Sequence, residues 1–200
     1  MDSRECIELV WRAWAAGRGL DPEPFLRVAH GRRISETLRL VAPALDAAAD
    51  AAVLDRMEAG ETRGLRAAPG AAELVARLAA GRWAVVTSGS RAVATLRLET
   101  AGLPIPAVFI TSDDVRRGKP DPEPYRTAAA RLGVPERDCL VLEDSPTGLA
   151  AAKAAGMRVI ALLTTHGADA LGQADHRVGS LALLSVETSR REPEIVVTWA

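Results

Sequence analysis

From Gly70 onward, short and continuously apolar runs alternate with segments of helical pattern. The runs are too short for helices that pack on their own, and they cover residues 83–86, 107–110, 139–142 and 159–163. Apolar strands of this length, separated by helices, are typical of a parallel sheet covered by helices on both faces. The pattern therefore predicts an α/β fold, whose ligands bind beyond the carboxyl ends of the strands. It also predicts a helix over about residues 70–80 and a last edge strand at residues 195–197.

The first 68 residues have a different pattern. Ile7, Val10, Trp11 and Trp14 lie at positions i, i+3, i+4 and i+7, which is one apolar stripe of an amphipathic helix. Further helices are predicted over about residues 22–29, 34–42 and 46–60, and no strand is predicted. This part of the chain is expected to form a small helical module.

Composition excludes several classes of protein. The 200 residues are 48% hydrophobic and carry a net charge of −1, which argues against a disordered chain and against a nucleic-acid binder. No apolar run reaches the roughly 18 to 20 residues that span a bilayer, and no secretory signal is visible. Cys6 and Cys139 lie far apart in the sequence. We therefore expect a cytoplasmic protein that binds neither nucleic acid nor membrane.

The first candidate site follows the apolar run at residues 83–86. Thr87, Ser88, Gly89 and Ser90 supply hydroxyl groups, a flexible glycine and the start of the next predicted helix. Unpaired N–H groups at a helix start suit a phosphate. The alternative is an ordinary helix N-cap, for which Ser90 alone suffices.

The second candidate is Lys119, within a turn that contains Pro120 and Pro122. Lys119 and Lys153 are the only lysines among 25 basic residues, and the other 23 are arginines. A compact ammonium suits a phosphoryl oxygen, because it acts as a point charge that a forked guanidinium does not reproduce. The alternative is a surface turn with a solvated lysine. Lys153 is assigned to the surface of a helix.

The third candidate is the pair Glu143 and Asp144, which follows the run at residues 139–142. Two adjacent carboxylates at the end of a buried strand repel each other and need a counter-charge. Mg²⁺ bound by one or two carboxylates, with water and substrate phosphate, supplies that charge. The alternative is that Asp144 only caps the next helix.

These segments resemble motifs of a known superfamily in order and spacing. Val85–Ser90, Arg117–Tyr125 and Val141–Gly148 resemble motifs two, three and four of the haloacid dehalogenase superfamily. They are most similar to its sugar and polyol phosphatases, the group of 2-deoxyglucose-6-phosphate and glycerol-3-phosphate phosphatases, with the beta-phosphoglucomutases as close relatives. The resemblance implies a Rossmann-like core at about residues 69–200 and an inserted helical cap at about residues 5–68.

The resemblance also implies Mg²⁺-dependent phosphoryl transfer through an aspartyl-phosphate. By position, Thr87 and Ser88 would hold the phosphoryl group, and Lys119 would neutralise it together with the nucleophile. Glu143 and Asp144 would bind Mg²⁺.

The cap segment contains further candidates. His30, Arg32 and Arg33, with Thr37, resemble the substrate-facing segment of the sugar phosphatases. The alternative is a turn between two helices with solvated arginines.

One motif of the superfamily is missing from this sequence. The superfamily opens with a central strand that ends in Asp-x-Asp-Gly, where the first Asp is the nucleophile and the second is the general acid/base. Asp2 matches only the trailing Asp of that motif, so residues 1–4 are interpreted as its remnant, and no Asp-x-Asp-Gly occurs elsewhere. The resemblance thus implies that both the first central strand and the nucleophile are absent.

Three explanations remain open: a start site placed too late, a shortened chain, or a pseudo-enzyme. We expect the full-length protein to be a Mg²⁺-dependent phosphatase of a small sugar or polyol phosphate, and the 200-residue chain to be inactive. The alternatives are a beta-phosphoglucomutase-like phosphotransferase and a non-catalytic binder of phosphorylated ligands. The sequence leaves the oligomeric state open.

Overall fold

The computed structural model describes residues 1–188 and 195–199. Its first part consists of helices α1 (Arg4–Gly17), α2 (Glu23–Ala29), α3 (Ile34–Val41) and α4 (Ala47–Glu58). The apolar stripe of α1 is buried as predicted, since Trp11 stacks on Phe25 with 5.5 Å between ring centroids and meets Trp14 edge-on at 5.6 Å. Leu38 and Leu54 complete this core. The predicted helices are confirmed.

The second part alternates helices and strands. Its helices are α5 (Ala71–Ala76), α6 (Arg91–Thr100), α7 (Glu123–Leu132) and α8 (Pro146–Ala154). Its strands are β1 (Ala84–Val86), β2 (Val108–Ile110), β3 (Leu140–Glu143), β4 (Arg158–Leu162), β5 (His176–Val178), β6 (Leu184–Thr188) and β7 (Ile195–Trp199).

The strands form parallel ladders, as the apolar runs predict. β1 pairs with β2, and β3, β4 and β5 pair in that order, all parallel. Within the described residues no ladder joins β1 to β3, so the parallel strands form two separate groups.

Three features of this region differ from the sequence-based expectation. The helix predicted from Gly70 to about residue 80 ends at Ala76. Glu143 does not follow its strand but is the last residue of it, opposite Ala161 of β4. The predicted strand at residues 195–197 exists, but its partner is the unforeseen β6, in an antiparallel pair.

The helical part contacts the α/β part through a buried ion pair. Glu58 of α4 accepts a hydrogen bond from the Arg97 guanidinium of α6 at 2.9 Å, and both side chains are buried. Two charges taken from water in this way are costly to separate. The contact therefore fixes the end of α4 on the core.

No helix in the described ranges is long and apolar enough to cross a membrane.

The aromatic cluster of the helical part gives a testable measure of its packing. Trp11→Ala removes a fully buried ring that contacts Trp14 and Phe25, and should lower the free energy of unfolding by about 3–5 kcal/mol in urea denaturation. Leu40→Ala, at an exposed position of α3, is the matched control and should change it by about 0.5 kcal/mol or less. Equal losses in both variants would contradict the assignment of this core.

Candidate active site

Lys119 lies between the two groups of parallel strands. Its ammonium donates to the carbonyl oxygen of Val86, at the end of β1, at 3.2 Å. It also forms a short hydrogen bond to Oε1 of Glu143, at the end of β3. Only 5% of the residue is exposed, so the alternative of a solvated lysine is excluded. The carboxyl ends of β1 and β3 therefore meet at this side chain.

Glu143 has hydrogen-bond donors on both carboxylate oxygens. Oε1 accepts from Lys119 and from the Tyr125 hydroxyl at 2.7 Å. Oε2 accepts from the backbone N–H groups of Asp144 and Ser145 and from the Ser145 hydroxyl, each at 2.9 Å. Five donors on one carboxylate leave it little capacity for a further ligand.

The surroundings of Glu143 keep it ionised. Burial alone would raise the pKa of this carboxyl, but the Lys119 ammonium and the donated hydrogen bonds outweigh burial, so its pKa is lowered. Burial and the neighbouring Glu143 charge raise the pKa of Tyr125 well above its ordinary value. Gly148 gives the carboxylate room, because a Cβ there would lie 1.9 Å from Oε1.

Asp144 is the less restrained of the two adjacent carboxylates. It does not cap α8, because Ser145 does so by accepting the Gly148 N–H at 3.1 Å. Asp144 Oδ2 accepts from the Thr165 hydroxyl at 2.5 Å, and His166 Nδ1 lies 3.0 Å from the Asp144 carbonyl oxygen. Asp144 thus sits at the start of α8, and within residues 1–188 and 195–199 its carboxylate has one side-chain donor, Thr165.

The donor set fits a divalent cation at Asp144 better than at Glu143. Both oxygens of Glu143 are already hydrogen-bonded, whereas Asp144 keeps acceptor capacity. Across residues 1–188 and 195–199, no group of three or more His, Cys, Asp or Glu side chains is arranged to hold a metal ion. Mg²⁺ commonly uses one or two carboxylates and takes its other ligands from water and substrate phosphate.

The segment after β1 combines a helix cap with two further hydroxyl groups. Ser90 caps α6 by accepting the Val93 N–H at 3.3 Å, as the simpler interpretation predicts. The Thr87 hydroxyl accepts the Gly89 N–H at 3.2 Å, and the Ser88 hydroxyl donates to the Gly31 carbonyl at 2.8 Å. Thr87 directly follows Val86, whose carbonyl oxygen accepts from Lys119, and Ser88 contacts the helical part.

The segment at residues 30–33 lies directly over these strand ends. A Cβ on Gly31 would lie 2.4 Å from Ser145 Oγ and 2.6 Å from Thr147 Oγ1, so only glycine permits this approach. The ring of His30 is 6.5 Å from that of His166, and burial lowers the pKa of His30.

The two arginines of this segment have different surroundings. The Arg33 guanidinium donates to three backbone carbonyls of residues 112–116. Arg32 instead borders an open cavity of about 490 Å³, which is lined also by Glu36, Arg117, Gly118, Pro120, Asp121 and Pro122. Thr37 is fully buried, and its hydroxyl has no hydrogen-bond partner in the part of the chain that is described.

The remnant assigned to residues 1–4 is tied to the end of the helical part. Asp2 exchanges backbone hydrogen bonds with Arg66, and its carboxylate forms an ion pair with the same arginine at 2.7 Å. Met1 lies near Asp144. The beginning of α1 therefore lies close to the strand ends.

A model of the haloacid dehalogenase-like hydrolases matches residues 7–156. The chain belongs to this hydrolase family. The predicted membership, which rests on three sequence segments around Thr87, Lys119 and Glu143, is confirmed.

The hydrolase resembles characterised relatives along most of its length. It is 38% identical over 202 residues to hexitol phosphatase A of Escherichia coli (strain K12), and this alignment covers 98% of this chain and 93% of the relative. It is 36% identical over 186 residues to glycerol-1-phosphate phosphohydrolase 2 of Saccharomyces cerevisiae, and this alignment covers 84% of this chain and 72% of the relative. Both relatives are phosphatases by name.

A solved structure confirms the predicted Rossmann-like α/β fold. CbbY from Rhodobacter sphaeroides, in complex with xylulose-(1,5)bisphosphate, superimposes with a TM-score of 0.77 at 27% identity. The match covers 90% of this chain and 89% of CbbY.

Sequence reasoning missed several residues of the hydrolase's candidate site. Tyr125 is the only tyrosine in the sequence and lies six residues after Lys119, a signal that could have drawn attention to it. Thr165 and His166 follow β4, where the rule that ligands bind at strand ends also applies. Glu36 reaches the site from the helical part and carries no local sequence signal.

Tyr125→Phe tests the hydrogen-bond network of Glu143. The change keeps the ring, whose centroid is 5.1 Å from the Lys119 ammonium, but removes the 2.7 Å hydrogen bond to a buried carboxylate. We expect the free energy of unfolding near neutral pH to fall by about 1.5–3 kcal/mol in urea denaturation.

The same variant has a defined pH dependence. Because the pKa of Glu143 is lowered in the folded protein, its stabilising contribution is present above its ordinary value of about 4.3 and is lost as the pH falls through the folded-state pKa. Loss of the Tyr125 hydroxyl raises that pKa, so acid destabilisation should begin at a higher pH. If the free energy of unfolding depended on acid pH in the same way in Tyr125→Phe and in the parent chain, the Tyr125 hydrogen bond would not stabilise the charged form of Glu143.

Proposed function

We propose that this hydrolase carries the phosphate-binding and cation-binding residues of a Mg²⁺-dependent phosphatase for a small sugar or polyol phosphate. The observation that carries the proposal is the buried ammonium of Lys119 at the carboxyl ends of β1 and β3. The hydroxyl groups of Thr87 and Ser88 follow directly after β1. The activities in the names of the relatives, on hexitol phosphates and glycerol-1-phosphate, support this substrate class.

In this proposal the chain's own residues bind and neutralise a phosphoryl group. Lys119 supplies a fixed positive charge in a site of low dielectric constant, where it stabilises the charge of a transferring phosphoryl group more strongly than it would in water. Thr87 and Ser88 donate hydroxyl hydrogen bonds to phosphoryl oxygens. Glu143 holds Lys119 and remains an anion throughout.

Asp144 is the residue that we assign to Mg²⁺. When bound, the cation would polarise a phosphoryl oxygen and offset its negative charge. We propose that Glu143 acts through Lys119 and not as a direct ligand, since both of its oxygens are hydrogen-bonded.

We further propose that residues 5–68 act as a cap over a core formed by residues 69–200. The contact between Ser88 and Gly31 and the close approach of Gly31 to Ser145 support this arrangement. His30 and Arg32 are then the candidates for recognising the substrate beyond its phosphate.

The proposed aspartyl-phosphate route needs a carboxylate nucleophile that these 200 residues do not supply. No Asp-x-Asp-Gly occurs in the sequence, and no ladder within the described residues joins β1 to β3. We therefore propose that the chain on its own binds phosphorylated ligands without turning them over.

Phosphate binding tests the role of Lys119. Lys119→Met should weaken the binding of glycerol-1-phosphate in the presence of Mg²⁺ at least about tenfold in isothermal titration calorimetry, because a charge-assisted hydrogen bond is lost. Lys153→Met is the matched control, since Lys153 pairs with Asp175 at 2.8 Å on the surface, and should bind as the parent chain does. Because Lys119→Met also leaves Glu143 unpaired, Thr87→Val provides a second test that keeps this ion pair. Unchanged affinity in both site variants would contradict the proposal.

Turnover is tested on the same chain. Release of inorganic phosphate from hexitol, glycerol and deoxyglucose phosphates should stay at the background level with Mg²⁺ present. Turnover that Asp144→Ala abolishes would overturn the proposed inactivity. Interconversion of sugar-phosphate isomers would point to a phosphotransferase, and would overturn it as well.

A further inference from the structure

The guanidinium of Arg33 is bound to the core and not directed at a ligand. Nη1 donates to the Arg116 carbonyl at 3.0 Å, and Nη2 donates to the carbonyls of Ser112 at 3.1 Å and Val115 at 2.7 Å. Only 14% of the side chain is exposed. Arg33 is the N-cap residue of α3, so these bonds join the start of a helix to a loop about 80 residues further along the chain.

Glu36 holds the other end of the same loop. Its Oε1 accepts the Gly118 N–H at 3.0 Å. The carboxylate also lies 3.9 Å from Arg33 Nε, so the two side chains of α3 offset each other's charge. Together they contact the loop from Ser112 to Gly118, and we call this pair the α3 clamp.

Gly118 permits the close approach that the clamp requires. A Cβ on Gly118 would lie 2.7 Å from Glu36 Oε1 and 2.8 Å from Arg33 Cδ. Contacts that short do not occur without displacement, so any larger residue would displace the side chains of Glu36 and Arg33 from the loop. Gly118 directly precedes Lys119, and a shift of this loop moves the lysine backbone.

The core also holds this loop, through a side chain of α7. The Glu123 carboxylate of α7 accepts the N–H groups of Arg116 at 2.8 Å and Arg117 at 3.0 Å. The N–H of Gly118 has its bond to Glu36 instead. The helical part therefore supplies the hydrogen-bond acceptor for the N–H of the residue directly before Lys119.

We infer that the α3 clamp is a positioning device for Lys119, so that the seating of α3 on the core determines where the ammonium lies. Arg33 is thereby a positioning residue and not a substrate contact, whereas Arg32 and Arg117 are the arginines that line the adjacent cavity. This inference rests on the proposed function only in assuming that Lys119 binds a phosphate.

The chain offers a direct measurement of the position of Lys119. Its only two lysines differ in burial, since Lys119 is 5% exposed and the side chain of Lys153 is 34% exposed. Acylation with a low dose of an amine-reactive ester, followed by mass spectrometry of peptides, gives the ratio of Lys119 to Lys153 labelling. Lys153 thereby serves as an internal standard in every sample.

Arg33→Ala and Glu36→Ala should each raise the labelling ratio about tenfold, because each removes charge-assisted hydrogen bonds to the loop. Glu36→Gln keeps an acceptor for the Gly118 N–H and should stay close to the parent chain. Arg39→Ala, an exposed arginine on the same helix, is the matched control and should leave the ratio unchanged.

Gly118→Ala tests the clamp from the core side. It should raise the ratio to the same degree as Arg33→Ala, and the double variant should show no further increase, because both changes break one contact. This variant leaves the helical part unaltered, so it decides the question if Arg33→Ala fails to fold.

The labelling outcomes separate positioning from a purely structural role. A variant that lowers the midpoint of thermal unfolding but leaves the ratio unchanged would overturn the inference. So would an equal rise in Arg39→Ala. The measurement uses no phosphate, so a raised ratio together with absent phosphate binding in the parent chain would support the clamp and reject the proposed function.

Discussion

The ion pair of Lys119 and Glu143 is the interaction on which the rest of the site depends. It joins the ends of β1 and β3, which no ladder connects within the described residues, and it replaces backbone pairing with a single charged contact. A buried ammonium and a buried carboxylate each carry a large desolvation cost, and only mutual contact with further hydrogen bonds offsets it. Tyr125 and Ser145 supply those bonds, so both residues serve the charge balance of the site.

The same interaction explains why two adjacent carboxylates differ. Successive residues of a strand point to opposite faces, so Glu143 shares the buried face of Val141. Asp144 lies beyond the strand, where the chain turns into α8, and keeps acceptor capacity. One carboxylate thus stabilises the lysine and the other remains available to a cation. Burial, and not residue type, separates the two roles.

The sequence predicts those features that have a local cause. The runs that form β1 to β4 are continuously apolar, because both faces of these strands are covered, and their positions follow to within about one residue. His176–Val178 contains a single apolar residue and was missed, as was β6, whose burial depends on packing against other elements. The polar residues beyond β1 and β3 were found for the same local reason. The contacts of Arg33 and Glu36 were not, because they join segments about 80 residues apart.

The hydrogen bond between Ser88 and Gly31 competes with any ligand that would accept a hydrogen bond from the Ser88 hydroxyl. A hydroxyl group at the end of β1 already has an acceptor in the carbonyl oxygen of the segment that covers it. Under the proposed function, an anion bound by this hydroxyl would take the place of that carbonyl oxygen, so the observed affinity would be the intrinsic affinity multiplied by the fraction of molecules in which the Ser88–Gly31 bond is broken. The free energy needed to break this one hydrogen bond would then reduce the free energy of every such binding event.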